Sequence, residues 1–370
     1  MQISIAGSYI TKIGELWQQG LEDLLKEASF GAIKDAEVDE KDIEAVFVAN
    51  MAGGDFNNQR HLNAIVSGFF DHFPPSIRVE GACASGGLAL LTAQYAVLSG
   101  KYKTVLVAGA EKMTDLDAGE TTQTLATAAH QINEYGSTFP ALYALLANVH
   151  MQKFGTTRNQ LSAVSIKNHQ HAFDNPKAQF HKKFTIEQIN NSFMVADPLR
   201  LLDCSPISDG AAAVVLTSKK VKAKAKILGA GHGQDTIDLA SRKKLTELAA
   251  TKKAAQQAYQ EAGLKPQNIN AAEVHDCFTI AEILATEDLG FFEKGTGGKA
   301  VEKGKSTYGG EIVINPSGGL KAGGHPIGAT GVKQLAYLSK LIEQDKFKYG
   351  LIHNIGGSGA TCVVHIIGKR

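Results

Sequence analysis

The chain nearly repeats itself. VDEKDIEAVFVAN, from Val38 to Asn50, aligns with LKPQNINAAEVHD, from Leu264 to Asp276, at an offset of 226 residues. The alignment sets Ile43 on Ile269, Ala45 on Ala271 and Val48 on Val274, and each segment follows a helical stretch of similar length. A looser correspondence joins CASGGLALLTAQYAVLSGKYKTVLVAG, starting at Cys83, to HPIGATGVKQLAYLSKLIEQDKFKYGLIHNIGG, starting at His325. Each reads as a Gly-rich turn, a helix, a basic connector and a buried strand. Copies this far apart are not solenoid repeats, and they predict two similar halves. Equivalent loops of such halves converge near a pseudo-twofold axis. Cys83 and His325 then face each other on opposing turns, as do Asn50 and Asp276.

Short β-branched runs (VLVAGAE at 105–111, AAAVVLTS at 211–218, CVVHIIG at 362–368) alternate with amphipathic stretches, which predicts an α/β fold. Residues 112–204 have no counterpart in the second half, show few strand-like runs and are rich in Thr, Asn, Gln and His. They read as an inserted lid or substrate-gripping subdomain. The chain thus divides into 1–111, the insertion 112–204, a segment 205–222 that completes the first half, and a second half, 223–370.

Composition narrows the class. Of 370 residues, 44% are hydrophobic and 20% charged, enough for a sizeable core. Lys plus Arg (38) against Asp plus Glu (37) gives a net charge of +1, which supplies no field for nucleic acid or an anionic membrane. No apolar run approaches a membrane span, and the N-terminus lacks the charge and apolar block of a secretory signal. The ending IIGKR is not a peroxisomal or lipidation tail. Four cysteines, at 83, 204, 277 and 362, are too few for a disulfide framework and include no zinc-type pair. These features predict a soluble, cytoplasmic protein with no bound metal. Glycine is in excess, 38 residues against 9 prolines, and it clusters at 81–87, 295–298, 309–310, 318–331 and 356–359. Such clusters mark backbone that turns tightly or approaches a ligand.

Candidate chemistry lies at these clusters. Cys83, in RVEGACASGGLALL, sits where an extended run meets a helix start. There it is either a small buried residue or a nucleophile whose thiolate fraction the helix dipole raises. His325, in NPSGGLKAGGHPIGATG, has few side chains to pack against. It reads as an exposed loop histidine or as the base that activates Cys83. HDCF, residues 275–278, follows the strand-like AAEV at a strand's C-terminal end, where open α/β sheets carry functional groups. Cys204 and Cys362 read as packing residues. His353 and Asn354 precede the turn at 356–359, whose N–H groups suit an oxyanion. The phosphate motifs fail: GKS at 304–306 lacks the first P-loop glycine, which falls on Lys299, and GGSGATC lacks the third dinucleotide glycine. Lys182 and Lys183 form a small basic pair in the insertion, either a solvated face or a contact for a nucleotide phosphate.

In order, GACASG around Cys83, VLVAGAEKMT, CSPISDGAAAVVL, HDCF, NPSGGLKAGGHPIGATG and HNIGGSGA resemble the thiolase superfamily over nearly the whole chain. HDCF in place of NEAF, and HNIG in place of CxG, resemble the sterol-carrier-protein-2 type, without a fused sterol-carrier domain. The resemblance implies a thiolase fold of two βαβ-rich halves in α/β/α/β/α layers with an inserted loop domain. It implies reversible condensation of two acetyl-CoA to acetoacetyl-CoA and CoA, with CoA thioesters as substrates and no resident cofactor. Cys83 matches the acylated nucleophile and His325 the histidine that activates it and binds the thioester oxygen. Cys277 takes the acid/base role that CxG supplies elsewhere, where this chain has Asn354. His275 matches the holder of the enolate oxyanion water, the N–H groups of Cys83 and Gly356 match the other oxyanion hole, and Ser205 falls at the pantetheine contact. A homodimer or homotetramer is implied, as is a possible complex with 3-hydroxy-3-methylglutaryl-CoA synthase through an OB-fold protein. A degradative thiolase of longer 3-ketoacyl-CoA chains, a scaffold subunit and a carrier-protein ketosynthase are the rival readings.

Overall fold

The structure, a computed structural model, describes residues 2–221 and 225–369. The boundary drawn at 222/223 therefore lies outside the described residues. The first half runs β1 (Ile3–Ile10), α1 (Leu21–Ala36), β2 (Ala45–Ala49), the short α2 (Gly53–Phe56) and α3 (Leu62–Ser67), β3 (Ser76–Val79), α4 (Ser85–Leu98) and β4 (Thr104–Glu111). The insertion contributes α5 (Ala118–Ala126), α6 (Phe139–Phe154), α7 (Arg158–Ala172), α8 (Ile186–Asn190) and the hairpin β5 (Met194–Ala196) and β6 (Leu199–Arg200), after which β7 (Gly210–Thr217) closes the half. The second half runs β8 (Ala225–Gln234), α9 (Ala249–Ala262), β9 (Ala271–Glu273), α10 (Thr279–Asp288), α11 (Gly297–Glu302) and β10 (Val313–Ile314). It ends with α12 (Gly319–Gly323), α13 (Thr330–Glu343), β11 (Tyr349–Gly356) and β12 (Thr361–Gly368).

The strand order makes the duplication visible. One mixed sheet runs β10-β9-β11-β12-β8-β1-β7-β4-β2-β3. Read outward from its centre, the order β1-β7-β4-β2-β3 is mirrored by β8-β12-β11-β9-β10. In each half the outer three strands are parallel and the inner two antiparallel, and β1 joins β8 through Ile3–Ile227, Ser4–Lys226 and Ile5–Ala225. α1 and α9 hold equivalent places, as do α4 and α13.

The sheet folds over on itself because its faces bury different sequences. The runs of β4, β7 and β12 are mostly apolar and are buried over nearly their whole length, as strands covered on both sides are. One inner core packs Ala89, Leu90 and Val97 of α4 and Val332, Leu335 and Leu338 of α13 against strands of both halves. Leu24, Leu25 and Ala28 of α1 cover the outer face of the first half. Ala254 and Ala258 of α9, Ile280 and Leu284 of α10 and Leu146 of α6 cover that of the second. The result is the expected five-layer α/β/α/β/α order. α4 is apolar almost all round, as a helix buried between sheets must be. Where α4 and α13 cross, a Cβ on Gly86 would lie 2.7 Å from the Gly331 nitrogen, so only glycine lets the two helix starts meet.

The insertion is more helical than a loop domain. Capping boxes open three of its helices: Asp117 with Glu120, Thr157 with Gln160, and Thr185 with Gln188. That spacing was present in the sequence, but the polar composition masked it.

Candidate active site

Cys83 lies in the turn between β3 and α4. The preceding Ala82 has φ of +51°, a left-handed conformation that costs an alanine about 1–3 kcal/mol. Ser85 holds it there. Its hydroxyl donates to the Ala82 carbonyl at 2.6 Å and accepts from the Gly81 N–H at 3.0 Å. This presents Cys83, half-buried, toward the equivalent turn of the second half.

His325 stands on that opposing turn, between α12 and α13. It is buried at 7% exposure, because loop backbone and Ser208 enclose it, so it is not the exposed loop histidine that its glycine-rich setting allows. Its backbone N–H donates to Ser208 Oγ at 2.8 Å, and its Nδ1 lies 2.7 Å from Thr330 Oγ1. The Thr330 hydroxyl donates its own proton to the Pro326 carbonyl, 3.0 Å away. Thr330 must therefore accept from Nδ1–H, which leaves a bare lone pair on His325 Nε2.

HDCF follows β9. One nitrogen or sulfur atom from each of Cys83, His275 and His325 lies within 4.8 Å of the others, and the two imidazoles meet edge-on, 4.9 Å between centroids at 86°. The sequence holds no metal-type spacing, yet folding gathers a thiol and two imidazoles from three distant segments. Cys277, 7% exposed, borders the same cavity of about 150 Å³ as Cys83 and His325. Its carbonyl accepts from the Ser205 N–H at 2.8 Å. Met113, Leu125, Phe139 and Ile327 give that cavity apolar walls, and Cys204 and Ser205 also border it.

Asn354 and Gly356 lie deeper. Asn354 is fully buried: its Oδ1 accepts from the Gly87 N–H at 2.9 Å and its Nδ2 donates to the Cys83 carbonyl at 2.9 Å. Gly356 is the last residue of β11 and pairs with Thr361. The backbone N–H that reaches the Cys83 sulfur belongs to Gly357, one residue further on, which borders the cavity. Lys182 and Lys183 are exposed on the insertion, over the rings of Phe184 and Phe173 at 5.1 and 4.4 Å, and do not border the cavity. Asn50 and Asp276 each bond within their own surroundings. Asn50 donates to Glu111 at 2.8 Å, and Asp276 accepts from Leu320 N–H at 2.7 Å and Asn168 at 2.6 Å.

Burial dominates the electrostatics. It pushes the Cys83 thiol up to about 12, against the pull of the Gly357 N–H, and holds Cys277 well above the usual thiol range. It also lowers His325 to about 3, with Lys333 adding to the effect, and holds His275 well below the imidazole range, where His325 and His353 add to it. The helix start therefore does not raise the thiolate fraction of Cys83, as its sequence setting suggested. Desolvation is the largest influence on the thiol, and the resting pair is a thiol beside a neutral imidazole.

Two site residues carry no sequence signal of their role. Tyr143, fully buried on α6, donates to the Gly357 carbonyl at 3.1 Å, hydrogen-bonds the Cys277 thiol and packs on Phe278 at 4.6 Å between centroids. Glu111, at the end of β4, accepts from the N–H groups of Met51 (2.9 Å), Ala52 (3.0 Å) and Gly328 (3.0 Å), and so ties the His325 turn to the first half. Tyr143 is one aromatic in an apolar helix, and Glu111 is one acid after an apolar run, so neither stood out.

The chain matches the thiolase N-terminal domain over residues 3–220 and the thiolase C-terminal domain-like family over 231–369. It is 48% identical to a protein of Methanothermobacter thermautotrophicus named acetyl-CoA acetyltransferase, over 99% of both chains. A protein of the same name from Methanocaldococcus jannaschii is 42% identical over 100% of this chain and 99% of that one. Bovine sterol carrier protein 2 is 34% identical over 92% of this chain and 67% of its own length. Among solved structures, the Ltp2-ChsH2(DUF35) aldolase superimposes with a TM-score of 0.84 at 24% identity, covering 99% of this chain and 97% of that one. An acetyl-CoA acetyltransferase from Syntrophomonas wolfei superimposes with a TM-score of 0.77 at 20% identity, covering 99% and 98%. These two likenesses are of fold.

Proposed function

The chain belongs to the thiolase family, and from that premise we propose that it is an acetyl-CoA C-acetyltransferase working through an acetyl-Cys83 intermediate. The convergence of Cys83, His275 and His325 within 4.8 Å, at a cavity that Cys277 also borders, carries this reading. The residue roles are proposals with it.

In the first half-reaction, the Cys83 sulfur attacks the thioester carbonyl carbon of acetyl-CoA while its proton passes to the lone pair on His325 Nε2. A resting thiol near 12 beside an imidazole near 3 does not ionise spontaneously, so thiolate forms only as the carbonyl is attacked. The N–H groups of Cys83 and Gly357 supply donors for the tetrahedral oxyanion, Gly357 taking the place expected of Gly356. As the C–S bond to CoA breaks, the sulfur departs as a thiolate, which needs no acid in order to leave, and then takes the Cys277 proton, a transfer that water supplies when Cys277 is absent. Cys277 holds that proton at rest because its thiol is pushed far up. The acetyl enzyme then contains a Cys277 thiolate and a His325 imidazolium, a pair whose charges offset each other.

In the second half-reaction, the Cys277 thiolate takes an α-proton from a second acetyl-CoA. The enolate oxygen lies against the N–H donors of His275 and protonated His325. The enolate carbon attacks the acetyl carbon on Cys83, and the Cys83–acetyl bond breaks as His325 returns its proton to sulfur. Acetoacetyl-CoA leaves with every proton accounted for. The small apolar cavity favours an acetyl group over long chains, and Ser205 at its border suits the pantetheine arm, whereas Lys182 and Lys183 lie outside the cavity and gain no support as contacts for the nucleotide phosphates.

Peptide mass spectrometry after incubation with acetyl-CoA tests the reading. One acetyl group on Cys83, with thiolysis of acetoacetyl-CoA falling along a chain-length series, is the expected result. Label on Cys204 or Cys362, or no label, contradicts it.

A further inference from the structure

Two imidazoles and a thiol this close are also the donor set of a soft-cation site. Zinc and its relatives bind thiolate at about 2.3 Å and imidazole nitrogen at about 2.0–2.1 Å, so a contraction of about an ångström would bring the three atoms into range. Whether they can bind depends on lone pairs. His325 already offers one at Nε2, because Thr330 holds the proton on Nδ1. His275 is held the other way.

The Asn354 carboxamide decides this. Its Oδ1 accepts from the Gly87 N–H at 2.9 Å. Its Nδ2 donates one proton to the Cys83 carbonyl at 2.9 Å and faces His275 Nδ1 at 3.2 Å with the other. Turning the amide over would oppose its carbonyl to that of Cys83 and its NH2 to the Gly87 N–H, so the first two partners fix its orientation. His275 Nδ1 is therefore an acceptor, and the ring's one proton lies on Nε2. The His275 backbone also donates to His353 Nδ1 at 3.3 Å, and His353 Nε2 pairs with Thr251 at 2.9 Å, so the segment has little freedom to rotate away.

We propose that Asn354 is a tautomer lock: it holds His275 as an Nε2–H donor facing the reacting atoms, and by the same bond keeps a thiol and two imidazoles from capturing a soft divalent cation. The neighbouring imidazoles are thereby set in opposite tautomers, one a base and one a donor, although both are neutral. An aspartate at 354 would still accept from Gly87, would accept rather than donate at His275 Nδ1, and would move the ring proton to Nδ1. The Nε2 lone pair would then join those of His325 and the Cys83 sulfur in a three-ligand site with a carboxylate behind one histidine.

The consequence for turnover rests on the acyl-transfer reading above, whereas the tautomer is read without turnover, so the two can fail separately. The probe is a long-range ¹H–¹⁵N spectrum of the full-length protein labelled in histidine, with His275 assigned by the signal lost in His275→Gln. The wild type should show a bare Nδ1 and a protonated Nε2 for His275 and the reverse for His325. Asn354→Asp should reverse His275 and bind Co²⁺ alone roughly 10–100-fold more tightly, the scale on which such outer partners act. A thiolate-to-cobalt absorption band should accompany binding and vanish in the added Cys83→Ser variant. A protonated Nδ1 on His275 in the wild type overturns the proposal, and that measurement stands even where Asn354→Asp does not fold. Equal cobalt affinity in wild type and a folded Asn354→Asp also overturns it.

Discussion

The two halves share one frame and differ at the strand ends that face each other. β4 ends on Glu111, whose carboxylate fills the space beyond the strand and binds three backbone N–H groups. β11, its counterpart, ends on Gly356, where a Cβ would lie 2.6 Å from the Gly81 carbonyl, and the chain turns directly into the cavity at Gly357. The first half is thus closed by a side chain and contributes Cys83. The second is opened by glycine and brings His275, Cys277, His325 and Asn354. Two equivalent rims therefore carry different groups: a thiol beside a structural carboxylate on the first, and two imidazoles, a thiol and a carboxamide on the second.

Removing the first half's single reactive group should have the largest effect. Cys83→Ala should abolish both acetyl exchange between CoA molecules and C–C bond formation, as followed by labelled CoA and by acetoacetyl-CoA absorbance. Residual exchange through another thiol would break the division of labour. On the second rim, His325→Ala should slow both half-reactions by roughly 10²–10³-fold, the cost of one such donor or base. Unequal slowing would show that the imidazole serves one step alone.

The plug should act on stability before chemistry. Glu111→Gln turns one acceptor oxygen into a donor facing backbone N–H groups, and chemical denaturation should show a loss of about 1–3 kcal/mol. Unchanged stability would remove Glu111 as the tie between halves. The smallest effect concerns pH. With His325 lowered to about 3, its imidazole stays uncharged as pH falls from 7 to 5. The acylation rate should therefore show no acid limb near 6.5, and a limb there would restore an ordinary histidine. On the alkaline side, iodoacetamide alkylation of Cys83 should climb without a plateau up to pH 9, because its thiol lies near 12.

Much of this was legible in the chain because it was periodic or local. The 226-residue offset located β2 and β9 and aligned α1 with α9, and the glycine clusters located both turns. Desolvation was not legible. The Cys83 helix start argues for an acidic thiol, and only the packing of Met113, Ile327 and the second half around it reverses the sign. Nor were long-range polar ties. Tyr143 reaches Gly357 across 214 positions and Asn354 reaches Cys83 across 271, and no spacing rule within a helix or strand encodes such pairs.

The central claim is that Cys83 carries the acetyl group through both steps while only the α-proton transfer depends on Cys277, and Cys277→Ala tests it most directly. Moving acetyl between CoA and Cys83 breaks only C–S bonds, whereas joining two acetyl units requires an α-proton to leave carbon. On one preparation of Cys277→Ala, exchange of labelled CoA with acetyl-CoA and acetylation of Cys83 should persist. Synthesis and cleavage of acetoacetyl-CoA should fall by roughly 10²–10⁴-fold, the contribution of a positioned acid/base. If exchange and condensation decline in parallel, or neither declines, Cys277 only packs beneath the site and the account fails.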